Sequence, residues 1–145
     1  MIYTIGYQAL TMPEFHKILE EKMVSVTVDV RSVPYSGRRD KTGFNKNRME
    51  RAFGSRYTWK GDILGGKHGP AQEAGIRYLV EVSRLGSTLL LLSTEADPLK
   101  CHRFHDIAVR LLPYGIDVVH LPLELKTSDL AKKMQTCESE CRRRP

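Results

Sequence analysis

The sequence predicts an α/β fold in which a mostly parallel sheet of about five strands carries helices on both faces, as in Rossmann-like three-layer domains. Short apolar runs alternate with segments of helical periodicity, and the connections between them are long enough for parallel crossovers. One run, residues 89–92, consists of four leucines and is typical of a strand covered on both faces. With 145 residues the chain fits one domain, which we place at 1–125, followed by a charged amphipathic tail at 126–145.

Local signals locate the individual elements along the chain. Thr11-Met-Pro-Glu14 matches a capping box with proline just inside the helix, and Asn45 is the expected N-cap of a short helix. Gly86 and Pro113 end two later helices. The predicted elements are strand 2–5, a helix from residue 12, strand 24–30, helix 46–53, edge strand 56–60, helix 71–85, strand 89–92, helix 98–112 and strand 117–121.

Polar residues gather where the predicted strands end. The second strand closes on Asp29-Val-Arg31, and the leucine strand runs into Ser93, Thr94 and Glu95. In an open parallel sheet these carboxyl ends share one edge, where ligands bind. Arg31 there either recognises an anion or forms an ion pair with Asp29.

The segment 64–70 is too rich in glycine to be regular. Backbone N–H groups around Gly65 and Gly66 can form an anion nest, although two adjacent glycines are as often a tight turn. The chain contains neither a Walker motif nor a G-x-G-x-x-G motif, so the sequence supports neither a P-loop NTPase nor a dinucleotide-binding fold.

The turn after the leucine strand holds the candidate catalytic residues. We expect Asp97 and Pro98 to open a helix whose first turn contains Cys101, His102 and Arg103, at the positive end of its dipole. The dipole and the guanidinium would lower the pKa of the thiol and make it a nucleophile, with His102 as general base. Equally, Cys101 is in phase with the apolar face of this helix, which indicates a small buried hydrophobic residue.

Arg103 is expected to point away from that apolar face and to bind phosphate or carboxylate together with Arg31. A metal site at Cys101 would need a second pair of ligands at usable spacing, which the sequence does not offer. We therefore predict no metal and no cofactor.

Charge and composition limit the partners. The chain has a net charge of +6, and residues 31–67 alone have +7, from ten Lys or Arg and three acids. This balance favours anionic partners, either a phosphorylated ligand or nucleic acid. No apolar run approaches the ~20 residues of a membrane helix, and the N-terminus does not resemble a signal peptide. We expect a cytoplasmic protein without a membrane partner, with its three cysteines reduced.

The tail from residue 126 differs from the rest of the chain. Leu130, Met134, Cys137 and Cys141 form an apolar seam on a charged helix that ends in arginines 142–144. Docking on the domain, homodimerisation through this helix and fraying all remain open.

Five short motifs occur in order along the chain. They are Thr4-Ile-Gly6, Asp29-Val-Arg31-Ser-Val-Pro34, Phe44-Asn45, Leu64-Gly-Gly66 and Glu95-x-Asp-Pro-x-x-Cys-His-Arg103. With them the chain resembles the DUF488 family over nearly all of residues 1–120, including its C-H-R motif. Members usually have His at the position of Tyr7, and the tail lies outside the pattern.

The resemblance implies a compact α/β domain but no established reaction. It also implies a shared site, whose residues would be Asp29, Arg31, Glu95, Cys101, His102 and Arg103. We expect supporting roles for Asp29, Asn45 and Glu95.

Two functional hypotheses follow. The first is an enzyme that uses Cys101 on a phosphorylated or nucleotide-like substrate. The alternative is a nucleic-acid-binding module in which the basic segment 31–67 contacts phosphates and Tyr35, Tyr57 and Trp59 stack on bases. A scaffold that binds through its tail is a third option.

Overall fold

A single six-stranded sheet runs through the protein in the order β3-β2-β4-β1-β5-β6. The computed structural model describes residues 1–143, and the side chains of residues 1–135. Neighbouring strands are parallel except β5 and β6, which pair antiparallel. The strands are β1 (Ile2–Gly6), β2 (Val26–Asp29), β3 (Tyr57–Trp59), β4 (Leu89–Ser93), β5 (Val119–His120) and β6 (Leu125–Lys126).

Helices cover both faces of the sheet, so the predicted fold class is confirmed. The sixth strand was not predicted, because two residues cannot display a strand periodicity. The helices are α1 (Met12–Glu21), α2 (Lys46–Phe53), α3 (Gly61–Leu64), α4 (Glu73–Arg84), α5 (Val109–Leu111), which continues a π-helical segment (Arg103–Ala108), and α6 (Thr127–Arg143). Short 3₁₀ turns lie at Tyr7–Ala9, Arg39–Phe44, Gly54–Arg56, Pro98–Lys100 and Leu112–Tyr114.

The four leucines of β4 supply both halves of the core. Leu89 and Leu91 pack with the helices α3, α4 and α5, while Leu90 and Leu92 pack with α1 and α2. All four are fully buried. This alternation is what a strand covered on both faces requires, and it fixes β4 in the middle of the sheet, where its carboxyl end meets that of β2.

Two predicted helix starts have different outcomes. The capping box of α1 is confirmed, since the Thr11 N–H donates to Glu14 Oε1 (3.0 Å) and the Glu14 N–H to Thr11 Oγ1 (3.3 Å). Asn45 occupies the N-cap position of α2, but the prediction that its side chain caps the helix is wrong. Its Oδ1 accepts instead from the Ser36 N–H (2.7 Å), because the preceding loop folds back across it.

The helix predicted over 98–112 does not start where expected. Asp97 does act as a cap, since its Oδ1 accepts from the Leu99 N–H (3.0 Å), but only one 3₁₀ turn follows. Cys101 is extended, with φ −129° and ψ 144°, and the π-helical segment begins only after His102. The prediction that Cys101 lies inside a first helical turn is therefore wrong. Apolar spacing cannot distinguish one continuous helix from a turn followed by a second helix start.

The tail forms α6, which begins at the end of β6. Leu130 of the predicted seam is buried, and Met134 is 39% exposed. The side chains of Cys137 and Cys141 and the terminal arginine Arg144 lie outside the described residues, so the seam and the homodimer stay predictions. Within residues 1–143, none of the helices combines the length and the apolar composition needed to cross a membrane.

Candidate active site

A cavity of about 390 Å³ opens at the carboxyl ends of β2 and β4, which is the sheet edge predicted to bind ligands. Five of the predicted site residues line it, namely Arg31, Gly66, Glu95, Cys101 and His102. The other lining residues are Ser32, Val33, Lys67, Ser93, Thr94 and Lys100.

Cys101 and His102 form a pair inside this cavity. The Nδ1 atom of His102 lies 3.7 Å from the Sγ atom of Cys101. The other ring nitrogen, Nε2, lies 3.0 Å from the carbonyl oxygen of Leu64. Because a carbonyl oxygen only accepts, we assign the proton of the neutral ring to Nε2. Nδ1 then faces the sulfur and can take up the thiol proton.

The thiol of Cys101 is 7% exposed, and its surroundings favour the thiolate. Burial opposes ionisation, but hydrogen bonds with His102, the Arg103 backbone N–H and Ser93 outweigh it and lower the thiol pKa to about 6. The pKa of His102 is raised: burial opposes the shift, but the sulfur and the Leu64 carbonyl favour the imidazolium. Both shifts point to a thiolate–imidazolium pair near neutral pH.

Arg103 is fully buried, so the expectation that it points away from the protein core is wrong. Its Nε donates to Thr4 Oγ1 (3.1 Å), and its Nη1 donates to Ser93 Oγ (2.8 Å) and to the Glu95 carbonyl. Its Nη2 donates to the Ala96 carbonyl (3.1 Å). These contacts make Arg103 a positioning residue that fixes the end of β4 beneath the thiol.

Arg31 forms the ion pair with Asp29, one of the two alternatives that the sequence left open. Its Nε and Nη2 donate to the two carboxylate oxygens of Asp29 (2.8 and 2.7 Å), and Nη2 also donates to the Phe44 carbonyl. Its Nη1, however, is buried and has no hydrogen-bond partner among the described residues. Arg31 is 4% exposed and lines the cavity, and it keeps one donor nitrogen that no described residue satisfies.

Two tyrosines complete the surroundings of this ion pair. The hydroxyl of Tyr57 donates to Asp29, and burial, followed by the charge of Asp29, raises the pKa of Tyr57. The ring centroid of Tyr7 lies 5.0 Å from the guanidinium carbon of Arg31. Tyr7 thus contacts the predicted anion-binding residue.

The glycine-rich loop packs against His102. A Cβ atom at Gly66 would lie 3.0 to 3.3 Å from three atoms of the His102 side chain, and one at Gly65 would lie 2.2 Å from Ser32 Oγ. The N–H of Gly65 donates to the Gly61 carbonyl, and that of Lys67 to Ser32 Oγ. Two of the N–H groups of the expected anion nest thus have protein partners. The loop itself packs against the imidazole ring of His102.

Of the two remaining supporting residues, one lies at the cavity and the other does not. Glu95 is half-buried at the cavity, and its Oε1 accepts from the Asp97 N–H (3.1 Å). Asn45 is not among the cavity residues and instead holds the loop before α2.

One buried histidine, linked to Arg103 through Thr4, was not predicted from the sequence. His120 on β5 is 1% exposed, with Nδ1 2.6 Å from Thr4 Oγ1 and Nε2 2.9 Å from Thr127 Oγ1. The Thr127 hydroxyl donates to the Val118 carbonyl (2.8 Å), so the imidazole Nε2–H must donate to Thr127. Nδ1 then accepts from Thr4, whose oxygen accepts from Arg103 Nε. The only sequence signal for this series of hydrogen bonds was a polar residue within an apolar strand.

The basic segment 31–67 contains both buried and exposed side chains. Arg31 and Lys41 are buried, and the Nζ of Lys41 donates to the Leu10 carbonyl. Tyr57, proposed to stack on a base, is buried, whereas Tyr35 is 54% exposed. The exposed cations are Arg38, Arg39, Arg48, Arg51, Arg56 and Lys67.

The fold and the cavity define an α/β domain with a Cys–His pair at strand carboxyl ends. Residues 11–75 match the model of DUF488, a domain of unknown function, which confirms the predicted resemblance to the DUF488 family. The C-H-R motif lies outside the matched residues. Neither the comparison with curated proteins nor the one with solved structures gives a match.

Proposed function

We propose that the protein is a thiol-dependent enzyme that acts on a small phosphorylated or nucleotide-like anion. The observation that supports this most directly is that the Cys101–His102 pair lines the same cavity as Arg31, whose Nη1 has no partner among the described residues. Perturbed ionisable groups that converge on one cleft are typical of catalytic sites.

The roles follow from the geometry. The Cys101 thiolate attacks an electrophilic centre of the substrate, so that a bond to sulfur forms as the bond from that centre to the leaving group breaks. Water then hydrolyses the sulfur-bound intermediate and restores the thiol. His102, held by Leu64, takes the thiol proton through Nδ1 and returns it to the leaving group. Arg103 and Ser93 keep the strand end in place below the sulfur.

Anion recognition rests on cations at the cavity. Arg31, Lys67 and Lys100 line it, against a single carboxylate, that of Glu95, and the Nη1 of Arg31 has no partner among the described residues. Asp29 offsets the charge of Arg31 but occupies only its Nε and Nη2. A phosphate oxygen placed at Nη1 would satisfy the remaining donor, which is costly to leave buried and unpaired.

The test is the reactivity of Cys101 in a variant with Cys137→Ser and Cys141→Ser. Alkylation by neutral iodoacetamide is measured between pH 4.5 and 9.5, and we expect a rate midpoint near pH 6, because the thiol pKa is about 6. The ratio of the alkylation rate with anionic iodoacetate to that with iodoacetamide should be higher for the native protein than for the same chain unfolded in urea. Inorganic phosphate should slow both reactions competitively.

Matched controls separate the thiol from the anion site. The unfolded chain should show a midpoint near the free cysteine value of about 8.5. Lys67→Ala and Lys100→Ala should reduce the preference for iodoacetate and leave the midpoint near its original value. A native midpoint at pH 8 or above, or a thiol that phosphate does not protect, would contradict the proposal.

The nucleic-acid module is the second candidate, favoured by the exposed arginines of the 31–67 segment and by Tyr35. It predicts that binding of a labelled oligonucleotide weakens steeply with salt and that Arg48→Ala and Arg51→Ala reduce the salt slope. Negligible binding at low salt would exclude it.

A further inference from the structure

A second cavity, of about 280 Å³, adjoins the one at Cys101. Ser32, Val33 and Lys67 line both, so the two cavities meet along these three residues. The Lys67 N–H donates to Ser32 Oγ (3.1 Å), which joins the glycine-rich loop to the segment after β2 at that boundary. A ligand longer than a phosphate group can therefore occupy both cavities.

Trp59, the only tryptophan of the chain, lines the second cavity. Its indole is fixed in place, because Nε1 donates to the carbonyl of Arg31 (2.8 Å). A Cβ atom at position 61 would lie 2.5 Å from this Nε1 and 1.8 Å from the Arg31 carbonyl oxygen, so Gly61 is what admits the contact. Arg31 thus connects the cavities: its carbonyl holds the aromatic ring and its guanidinium lines the thiol cavity.

The polar lining of the second cavity suits the edge of a heterocycle. The carboxylate of Asp62 is exposed and has no hydrogen bond from another described residue. Gln72 lines the same cavity, and its Nε2 donates weakly to the Asp62 backbone carbonyl (3.4 Å), which leaves its amide oxygen for a ligand. An acceptor pair and an amide beside a fixed aromatic plane are groups that read and stack nucleobases.

We infer that the substrate is a nucleoside phosphate, with its base against Trp59 in the second cavity and its phosphate at Arg31 and Cys101 in the first. This assignment rests on the proposed function, since it uses the same anion site. It adds the part of the substrate that distinguishes a nucleotide from a simple phosphate ester.

Two readouts test the inference on the full chain. The intrinsic fluorescence of Trp59 is titrated with the 5′-monophosphates of adenosine, guanosine, cytidine and uridine, with ribose 5-phosphate and with inorganic phosphate. In parallel, each compound is tested for protection of Cys101 against iodoacetamide in the Cys137→Ser, Cys141→Ser variant. Because a base–aromatic stack contributes about 1–3 kcal/mol, at least one nucleotide should bind roughly tenfold tighter than ribose 5-phosphate.

Variants assign the gain to the second cavity. Trp59→Leu and, separately, Asp62→Ala should bring protection by the nucleotide down to that by ribose 5-phosphate and leave protection by phosphate in place. Asp40→Ala, an exposed carboxylate that is not among the residues of either cavity, should change neither. If Trp59→Leu does not fold, the inference is still tested by Asp62→Ala and by comparing the affinities of wild type for the nucleotides and for ribose 5-phosphate.

The outcomes separate this inference from the proposed function. Equal affinity for nucleotides and ribose 5-phosphate, with phosphate still protecting the thiol, overturns the base site alone. No protection by any phosphate overturns both. Protection by a short oligonucleotide but by no mononucleotide also overturns the inference, and favours the nucleic-acid module.

Discussion

The imidazole Nδ1 of His102 lies 3.7 Å from the sulfur of Cys101, although the two residues are adjacent in sequence. Consecutive side chains of a strand point to opposite faces. Here Cys101 is extended and His102 already has helical backbone angles (φ −60°, ψ −22°), so this change of conformation turns both side chains into one cavity. The break between the 3₁₀ turn and the π-helical segment is thus what creates the pair.

Replacing His102 should remove most of the activation of the thiol. In the Cys137→Ser, Cys141→Ser background, His102→Gln eliminates the group whose hydrogen bond and charge favour the thiolate. The midpoint of Cys101 alkylation should rise by roughly 1–2 pH units, as expected when an opposite charge close to an ionisable group is lost. Alkylation rates across the same pH range measure the shift.

The control is His105→Gln, which removes the next imidazole along the same segment. His105 is exposed, and its Nε2 donates to the Leu99 carbonyl rather than contacting the sulfur. The pH midpoint of Cys101 alkylation in His105→Gln should stay near that of the parent variant. An equal shift in both variants would mean that His102 acts only through the fold.

Gly66→Ala should disturb the pair from the opposite side. The added methyl would lie 3.0 to 3.3 Å from the His102 side chain, which must move by a few tenths of an ångström. We expect a higher alkylation midpoint and a loss of roughly 1–2 kcal/mol in the free energy of unfolding, as for mild overpacking. Urea unfolding and the alkylation profile test the two parts separately.

Gly37→Ala is the matched control, since a Cβ there has nothing within 4 Å. It should leave the alkylation profile unchanged and should stabilise the fold slightly, by at most about 1 kcal/mol. A normal thiol midpoint in Gly66→Ala would show that the glycine does not position the ring.

Asp29→Asn should destabilise the fold strongly, because it leaves the buried guanidinium of Arg31 without its counter-ion. The side chains of this pair are 0% and 3% exposed, and breaking one partner of a buried pair costs about 3–5 kcal/mol. The free energy of unfolding in urea measures the loss. Asp40→Asn breaks the Arg38 pair, in which both side chains are 60% exposed, and should cost about 1 kcal/mol or less. Similar losses in both variants would contradict the assignment of Arg31 as a buried, charge-compensated cation.

The sheet was largely predictable because its signals are local. The leucine run, the capping box of α1 and the order of strands and helices each depend on neighbouring residues, and the structure confirms them. The two-residue β6 and the start of the π-helical segment were not predictable. The first is too short for a pattern, and the second depends on the extended backbone at Cys101, which the apolar spacing does not indicate.

The site was predictable in its membership but not in its contacts. Strand-end reasoning brought Arg31, Glu95, Cys101 and His102 to one edge, and the cavity contains all four. Burial of Arg103 depends on its contacts with Thr4 and with the turn after β4, and the contact of Gly66 with His102 depends on how the loop 64–70 packs. The link from Arg103 through Thr4 to His120 joins residues more than 90 positions apart, which no spacing rule detects.

His120 should make the protein less stable as the pH falls below neutrality. Burial, and then the charge of Arg103, lower the pKa of His120 to about 4, whereas an unfolded histidine has a pKa near 6.5. Between pH 6.5 and 4 the unfolded chain therefore binds a proton at this residue that the folded chain does not, and stability falls by up to about 1.4 kcal/mol per pH unit.

His120→Gln, which cannot titrate, should be less stable than wild type at pH 7, because Gln cannot satisfy both Thr4 and Thr127. Its deficit should narrow as the pH falls, since only the wild type loses this contribution. Urea unfolding at pH 7.0, 6.0 and 5.0 provides the comparison, with the exposed His16→Gln as the variant that should follow wild type at every pH. A deficit of His120→Gln that is constant across this range would mean that folding does not lower the pKa of His120, and would contradict this prediction.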